Sequence, residues 1–173
     1  MLVYTFKKTD KGYIGKALEK TVKSALNRKN AAWVSGAGRE DFRYNKRFYD
    51  VKQNGTCIKY QHCNRYIQGA NRVIYSTHVA YTIIEETDDE ITVAIDLANT
   101  EMFVVDKKEF VSFLLENGYA KYNTARGEIN IQTCYNYKKN AYHGRIGHKI
   151  EDWCYENEID DDIIGYILEG WKG

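Results

Sequence analysis

The sequence predicts an α/β protein, and three features of its hydrophobic patterning carry that prediction. They are a helical stripe at 13–27, a paired β pattern at 40–53, and apolar β-rich runs at 72–84 and 90–106. Helical and extended segments thus alternate along the chain, which is typical of a helix-covered sheet rather than of an all-α or all-β domain.

Length and composition are those of one folded domain. The chain has 173 residues, of which 43% are hydrophobic and 28% are charged, and this profile argues against disorder. We expect one domain over 1–173, with a core at about 12–105 and a C-terminal α+β elaboration at about 106–173. No apolar run approaches the ~18 residues needed to span a bilayer, and the N-terminus does not resemble a secretory signal. We therefore expect a cytoplasmic protein with no membrane partner.

The first helix is predicted over Tyr13–Asn27, after a short opening strand. Asp10 is a plausible cap, and the segment Asn27–Asn30 is a plausible stop. The apolar side chains that share one stripe of this helix are Ile14, Leu18, Val22, Ala25 and Leu26. A helix that buries this stripe would cover one face of the sheet.

A β-hairpin is predicted next, with arms at 40–44 and 47–53 that follow a strand near 31–35. The turn falls at Asn45-Lys46, so paired residues have numbers that sum to 91. Every cross-strand neighbour in the hairpin follows from this register.

The pattern after the hairpin predicts a second helix and then a strand. The helix covers 56–68, because apolar residues from Cys57 to Ile67 recur at helical intervals, and the strand covers 72–84. His78 lies inside this strand and is expected to be an ordinary sheet residue.

A further helix is predicted from a capping box. Asp106 and Glu109 form the D-x-x-E pattern that opens a helix running to Glu116. Irregular or strand structure should then extend to about residue 147, followed by one or two short helices. The second Asp-x-Lys of the chain, Asp106-Lys107-Lys108, is explained by this helix start.

The hairpin register places two carboxylates and an amine together. Asp41 falls directly opposite Asp50, with Cβ atoms ~5 Å apart, and Lys52 points to the same face as Asp50. Two carboxylates at this separation repel each other unless a cation or a shared proton intervenes. Mg²⁺ suits such a pair, and a neighbouring lysine can orient an attacking water.

Asp41 followed by Asp50-Val51-Lys52 resembles the signature of the PD-(D/E)XK, or restriction-endonuclease-like, nucleases. The predicted order of elements over about 12–84 also resembles the α-β-β-β-α-β core of that family. The resemblance implies a Mg²⁺-dependent endodeoxyribonuclease in which Mn²⁺ can substitute, and Glu19 as a further acidic residue that assists metal binding. It also implies DNA as the substrate and a possible homodimer, and the small size suits a phage or mobile-element enzyme.

Two departures from the signature matter. Its proline is missing, because Arg39-Glu40 precede Asp41. A slip of one residue in the register would make Glu40 the ligand instead.

The first third of the chain is strongly basic. Residues 1–52 hold 13 Lys/Arg against 5 Asp/Glu, although the whole chain has a net charge of only +1. This asymmetry favours a polyanionic partner such as DNA. The cations that flank the proposed centre and could hold backbone phosphates are Arg39, Arg43, Lys46 and Arg47.

Non-catalytic alternatives remain open. The acidic pair could be a cross-strand charge cluster on a solvated face, and Glu19 could simply pair with Lys23. The protein would then be a DNA- or protein-binding module, for example a phage-encoded accessory or inhibitor protein, and the acidic stretch Glu156–Asp162 could contact a basic partner. The four cysteines lack the spacing of a structural zinc site.

Overall fold

The computed structural model describes residues 2–30, 41–55, 57–59 and 71–171. Within these ranges the protein is a mixed α/β structure with four α-helices and several sheets. The helices are α1 (Tyr13–Arg28), α2 (Lys107–Glu116), α3 (Ile146–Asn157) and α4 (Ile163–Trp171). A 3₁₀ turn at Leu97–Asn99 completes the helical segments.

Over the same described residues, the strands form four sheets. Their bounds in chain order are β1 Tyr4–Lys7, β2 Phe42–Tyr44, β3 Arg47–Gln53, β4 Cys57–Lys59, β5 Arg72–His78, β6 Tyr81–Glu86, β7 Glu90–Ile95, β8 Glu101–Asp106, β9 Ala120–Asn123, β10 Glu128–Ile131, β11 Tyr135–Asn136 and β12 Ala141–Tyr142. The central sheet has the order β2-β3-β5-β8, and the three smaller sheets have the orders β1-β7-β6, β4-β10-β9 and β11-β12.

The central sheet is mixed, as the resemblance to the restriction-endonuclease-like core implies. Strand β3 runs parallel to β5, whereas β2 is antiparallel to β3 and β8 is antiparallel to β5. Strands β5 and β8 are buried on both faces, which accounts for the continuous apolar runs in their sequences.

Two hydrophobic cores lie on opposite faces of this sheet, because successive side chains of a strand alternate in direction. Ile74 of β5 and Val104 of β8 belong to the first core, which α1, α4 and the β1-β7 strands cover. Tyr75 and Val105, their neighbours along the strands, belong to the second core, which α2, α3 and the β4-β10 strands cover. A site on β3 is therefore enclosed by α1 on one side of the sheet and by α2 on the other.

The predicted first helix is confirmed. Helix α1 begins at Tyr13 and ends at Arg28, and the stripe of Leu18, Val22, Ala25 and Leu26 is buried. The helix also packs closely on α4, a contact between elements that are far apart in the sequence. This contact ties the C-terminal end of the chain to the helix that carries Glu19.

The hairpin and the capped helix α2 are confirmed, and two other predictions need correction. The helix predicted over 56–68 is wrong at its start, because Cys57–Lys59 forms β4 and pairs with β10, a long-range interaction that no local pattern reveals. Its remainder, and the strand near 31–35, lie outside the described residues. The strand predicted over 72–84 is divided into β5 and β6, which belong to different sheets.

Candidate functional site

The register of the β2-β3 hairpin is the one that the turn position predicts. Phe42 pairs with Tyr49 and Tyr44 pairs with Arg47, so the paired numbers sum to 91. Asn45 and Lys46 both have positive φ angles, of 50° and 63°, which is typical of a two-residue type I′ turn. No one-residue slip occurs between residues 42–44 and 47–49.

Asp41 is held at the end of β2 by two hydrogen bonds to β3. Its backbone N–H donates to the carbonyl oxygen of Tyr49 at 2.8 Å, one residue out of step with the Phe42–Tyr49 pairing, so the regular ladder ends at Phe42. Its carboxylate atom Oδ2 accepts from the backbone N–H of Val51 at 2.7 Å. These bonds hold Asp41 against β3 beside Asp50 and fix the orientation of its carboxylate.

Asp50 is a buried carboxylate on the opposite side of β3 from Tyr49 and Val51, both of which enter the first core. Its atom Oδ2 accepts a hydrogen bond from Nζ of Lys107 at 3.0 Å, and Lys107 is itself buried. The carboxylate of Asp50 from the sheet and the amine of Lys107 from the start of α2 thus form a buried ion pair.

Lys52 and Glu19 line a cleft of about 380 Å³ between β3 and the N-terminal half of α1. Helix α1 lies close to β3 at Gly15, where an added Cβ would come into ordinary van der Waals contact with Cβ of Gln53 at 3.7 Å. Glu19 therefore reaches the site from the helix, while Lys52 reaches it from the strand.

Burial and neighbouring carboxylates raise the pKa of Asp41 and that of Glu19. Burial, with further contributions from the charges of Asp50 and Glu19, raises the pKa of Asp41 to about 7, although the Val51 N–H and Lys52 act against this. Burial also raises the pKa of Glu19, to which Asp50 adds and which Lys52 opposes. The four predicted site residues are therefore electrostatically coupled in the folded chain.

The carboxylates of this site do not form a closed cage of metal ligands. Over the residues that the structure describes, one group of three potential ligands has all its ligand atoms within 4.8 Å of one another, and it consists of His78, Glu101 and Glu151. The acidic site instead has one carboxylate, that of Glu19, on the open cleft, and those of Asp41 and Asp50 beside β3. This arrangement suits Mg²⁺, which commonly uses one or two carboxylates together with water and phosphate oxygens.

The predicted phosphate-binding cations lie on the hairpin. Arg43 is exposed and stacks its guanidinium over the ring of Phe48, with 5.3 Å to the ring centroid. Lys46 is exposed at the turn and Arg47 is half-buried beside it. The turn lies about 13 Å along β3 from Asp50, four residues at the usual strand rise. Arg39 lies outside the described residues.

Part of the acidic stretch near the C-terminus has a structural role. Asp161 accepts hydrogen bonds from the Tyr49 hydroxyl at 2.6 Å and from the guanidinium of Arg72. Burial acts to raise the pKa of Asp161, but these bonds and one from the Ile163 N–H outweigh it and hold the pKa below its usual range. Asp162 accepts from the Tyr44 hydroxyl at 3.1 Å. These two carboxylates connect the start of α4 to the central sheet.

Sequence reasoning missed Lys107 and the cluster at His78. Lys107 belongs to the second Asp-x-Lys of the chain, which correctly indicates a helix start: Asp106 caps α2 by accepting from the Glu109 N–H. That local role gives no sign of the contact with Asp50, 57 positions earlier. His78, expected to be an ordinary sheet residue, instead pairs with Glu151 of α3.

Comparison of the chain with protein-family models, with curated proteins and with solved structures finds no match. In the described ranges, no helix is both long enough and apolar enough to cross a membrane. The arguments about function below therefore depend on the geometry and chemistry of the site.

Proposed function

We propose that this protein is a divalent-metal-dependent DNA endonuclease that resembles the PD-(D/E)XK nucleases. The observation that carries the proposal is the hydrogen bond from the Val51 N–H to Asp41, which holds this carboxylate beside the strand that carries Asp50 and Lys52. The raised pKa of Asp41 supports it, because a site that disfavours its own negative charges favours a bound cation.

In this proposal Asp41 and Asp50 hold Mg²⁺, or Mn²⁺ in its place, and Glu19 assists them. The ion supplies charge neutralisation and lowers the pKa of a bound water. Lys52 orients the attacking water or stabilises negative charge on the phosphate. The N–H of Val51 keeps the carboxylate of Asp41 in place, and the cleft beside Glu19 admits the substrate backbone.

The proposed substrate is DNA, bound through its phosphates in the cytoplasm by a monomer or a homodimer. Lys46 and Arg47 at the hairpin turn, together with Arg43 and Arg39, would contact phosphates on either side of the cut. The excess of cations in residues 1–52 supports this orientation, since it concentrates positive charge on the segments that surround the site.

Cleavage of supercoiled plasmid tests the proposal. Wild-type protein should nick the plasmid with Mg²⁺ or Mn²⁺ and should not do so with EDTA. Asp41→Asn, which retains an acceptor for the Val51 N–H, and Lys52→Ala should each lose about 100-fold or more of this activity. The matched controls Asp88→Asn and Lys7→Ala change the same charges at exposed positions and should cleave normally. Metal-dependent nicking that survives in both site variants would contradict the assignment.

A non-catalytic DNA- or protein-binding module is the second candidate, and the Asp50–Lys107 pair favours it. A buried lysine already compensates one of the two proposed metal ligands. The same plasmid experiment decides between the two functions: retained binding of DNA without cleavage, under any divalent metal, favours the module.

A further inference from the structure

A second cluster of potential ligands lies where α3 crosses the central sheet. His78 ends β5, and Glu101 begins the neighbouring strand β8 directly opposite it. Glu151 comes from α3, and its Oε2 lies 3.3 Å from Nε2 of His78. One ligand atom from each of the three residues lies within 4.8 Å of the other two.

A bulge in the sheet creates this convergence. The register between β5 and β8 shifts between Ser76 and His78, so His78 is paired with Glu101 out of step with the preceding residues. A hydrogen bond also orients the carboxylate of Glu101, because its Oε2 accepts from the hydroxyl of Thr77 at 3.2 Å. The sheet therefore presents an imidazole and a carboxylate together at one end.

The charges in this cluster are not balanced as they would be in an ordinary ion pair. One imidazole, neutral or charged, faces the two partly buried carboxylates of Glu101 and Glu151. Two carboxylates this close favour a cation between them.

We propose that His78, Glu101 and Glu151 form a Zn²⁺-binding site. Imidazole nitrogen and carboxylate oxygen are both ligands that Zn²⁺ accepts, and three protein ligands leave the fourth position of its tetrahedron to water. The imidazole disfavours Mg²⁺ and Ca²⁺, which prefer oxygen ligands throughout. The exposure of His78, 67% at its side chain, leaves a path for the ion and for a water ligand.

The zinc site joins α3 to the ends of β5 and β8 and is separate from the proposed nuclease centre. His78 lies five residues along β5 from Val73, the partner of Asp50, which corresponds to about 16 Å at the usual strand rise. Metal ions that share one phosphoryl-transfer site are only about 4 Å apart. The role of this ion is therefore to stabilise the packing of α3, whether or not the protein is a nuclease.

Zinc titration of EDTA-treated, dialysed protein tests the site, with isothermal calorimetry for affinity and thermal unfolding for stability. We expect one equivalent of Zn²⁺ to bind with micromolar or tighter affinity and to raise Tm, since a ligand that binds only the folded state stabilises it. His78→Lys keeps a cation opposite Glu151 but removes the imidazole, and Glu151→Gln removes a ligand charge. Each variant should weaken binding at least 10-fold and should lose the zinc-dependent rise in Tm, while zinc-free protein retains its fold by circular dichroism.

Matched variants on the exposed face of α3 serve as controls. His148→Lys and Glu156→Gln make the same substitutions at exposed positions of that helix and should leave zinc binding unchanged. Zinc affinity equal to wild type in His78→Lys and Glu151→Gln would assign the bound ion to other residues and overturn the proposal. So would the lack of any zinc binding at micromolar concentration by wild-type protein.

Discussion

Nζ of Lys107 lies 3.0 Å from Oδ2 of Asp50, and the two side chains are only 1% and 6% exposed to solvent. The pair joins the first residue of α2 to the middle of β3, and it places a full positive charge next to one of the proposed metal ligands. Burying two charges is costly, but removing one partner costs more because the other is then left uncompensated. A metal ion bound by Asp50 would therefore share this carboxylate with Lys107.

We predict that Lys107→Met destabilises the protein by about 3 kcal/mol in the absence of divalent metal, because it leaves the carboxylate of Asp50 buried without a partner. Urea denaturation with and without Mg²⁺ measures this. If Asp50 is a metal ligand, Mg²⁺ should restore part of the lost stability in the variant, since the ion replaces the missing positive charge.

Lys108→Met is the control for this prediction, since Lys108 is the next residue of the same helix and is exposed. It removes the same charge and should change the free energy of unfolding by no more than about 0.5 kcal/mol. Equal stability of the two variants would show that the buried pair contributes nothing. A destabilised Lys107→Met protein that gains no more from Mg²⁺ than wild type does would argue against Asp50 as a ligand.

The pKa of Asp41 gives a prediction about pH. Its folded-state value of about 7 lies above the ordinary value near 3.9 of an unfolded chain. Between these two values the folded protein holds a proton that the unfolded chain has released. The contribution of Asp41 to stability therefore falls as the pH rises from about 4 to about 7 and stays at its lower level above that.

Asp41→Asn should remove this dependence, because an amide does not titrate and still accepts a hydrogen bond from the Val51 N–H. At pH 8 without metal the variant should be more stable than wild type by up to about 4 kcal/mol, since each pKa unit corresponds to about 1.4 kcal/mol, and at pH 4 the difference should be small. Urea denaturation at the two pH values measures it. A difference that stays constant with pH would show that Asp41 titrates normally.

The sequence was sufficient to predict the elements whose signals are local. The stripe of α1, the Asn45-Lys46 turn and the Asp106 cap each depend on residues within a few positions of one another, and all three are present in the structure. The strand Cys57–Lys59 was predicted as helix because its partner, β10, begins 69 residues later at Glu128. Periodicity over three residues cannot distinguish the two conformations.

In the candidate site, too, the features with local signals could be predicted from the sequence, whereas the long-range contacts could not. The pairing of residues 42–44 with 47–49 follows from the turn alone, which is why this part of the register could be calculated in advance. The contact between Asp50 and Lys107 could not be calculated in advance, because Lys107 lies 57 positions later in the chain, at the start of a helix that packs on the sheet. The His78 cluster depends on a bulge and on the packing of α3, neither of which leaves a signal near His78 in the sequence.

The hairpin turn is a place where stability can be gained. Lys46 adopts φ of 63°, a conformation that is unfavourable for residues with a Cβ and that glycine adopts easily. Lys46→Gly should therefore stabilise the protein by about 0.5–1 kcal/mol, measured by thermal or urea denaturation. Lys46→Ala removes the same charge without relieving the backbone and should not stabilise. Both variants should weaken DNA binding to a similar extent, since the proposed phosphate contact is lost in each.

The contact between α1 and α4 depends on the lack of a side chain at Gly170. A Cβ added at this position would lie 2.1 Å from the carbonyl oxygen of Ala25 in α1, so the two helices would have to separate. Gly170→Ala should destabilise the protein by about 3 kcal/mol, because backbone cannot move aside as a flexible side chain can.

The control is Gly165→Ala on the same helix. Its added Cβ meets nothing within 4 Å, and the variant should be more stable by about 0.5–1 kcal/mol, since alanine favours the helical conformation. Urea denaturation of the two variants measures the difference, and equal stabilities would contradict the close packing of these helices. Because α1 also carries Glu19, the displaced helix in Gly170→Ala should reduce any metal-dependent nicking even at temperatures where the protein remains folded, whereas Gly165→Ala should leave it unchanged.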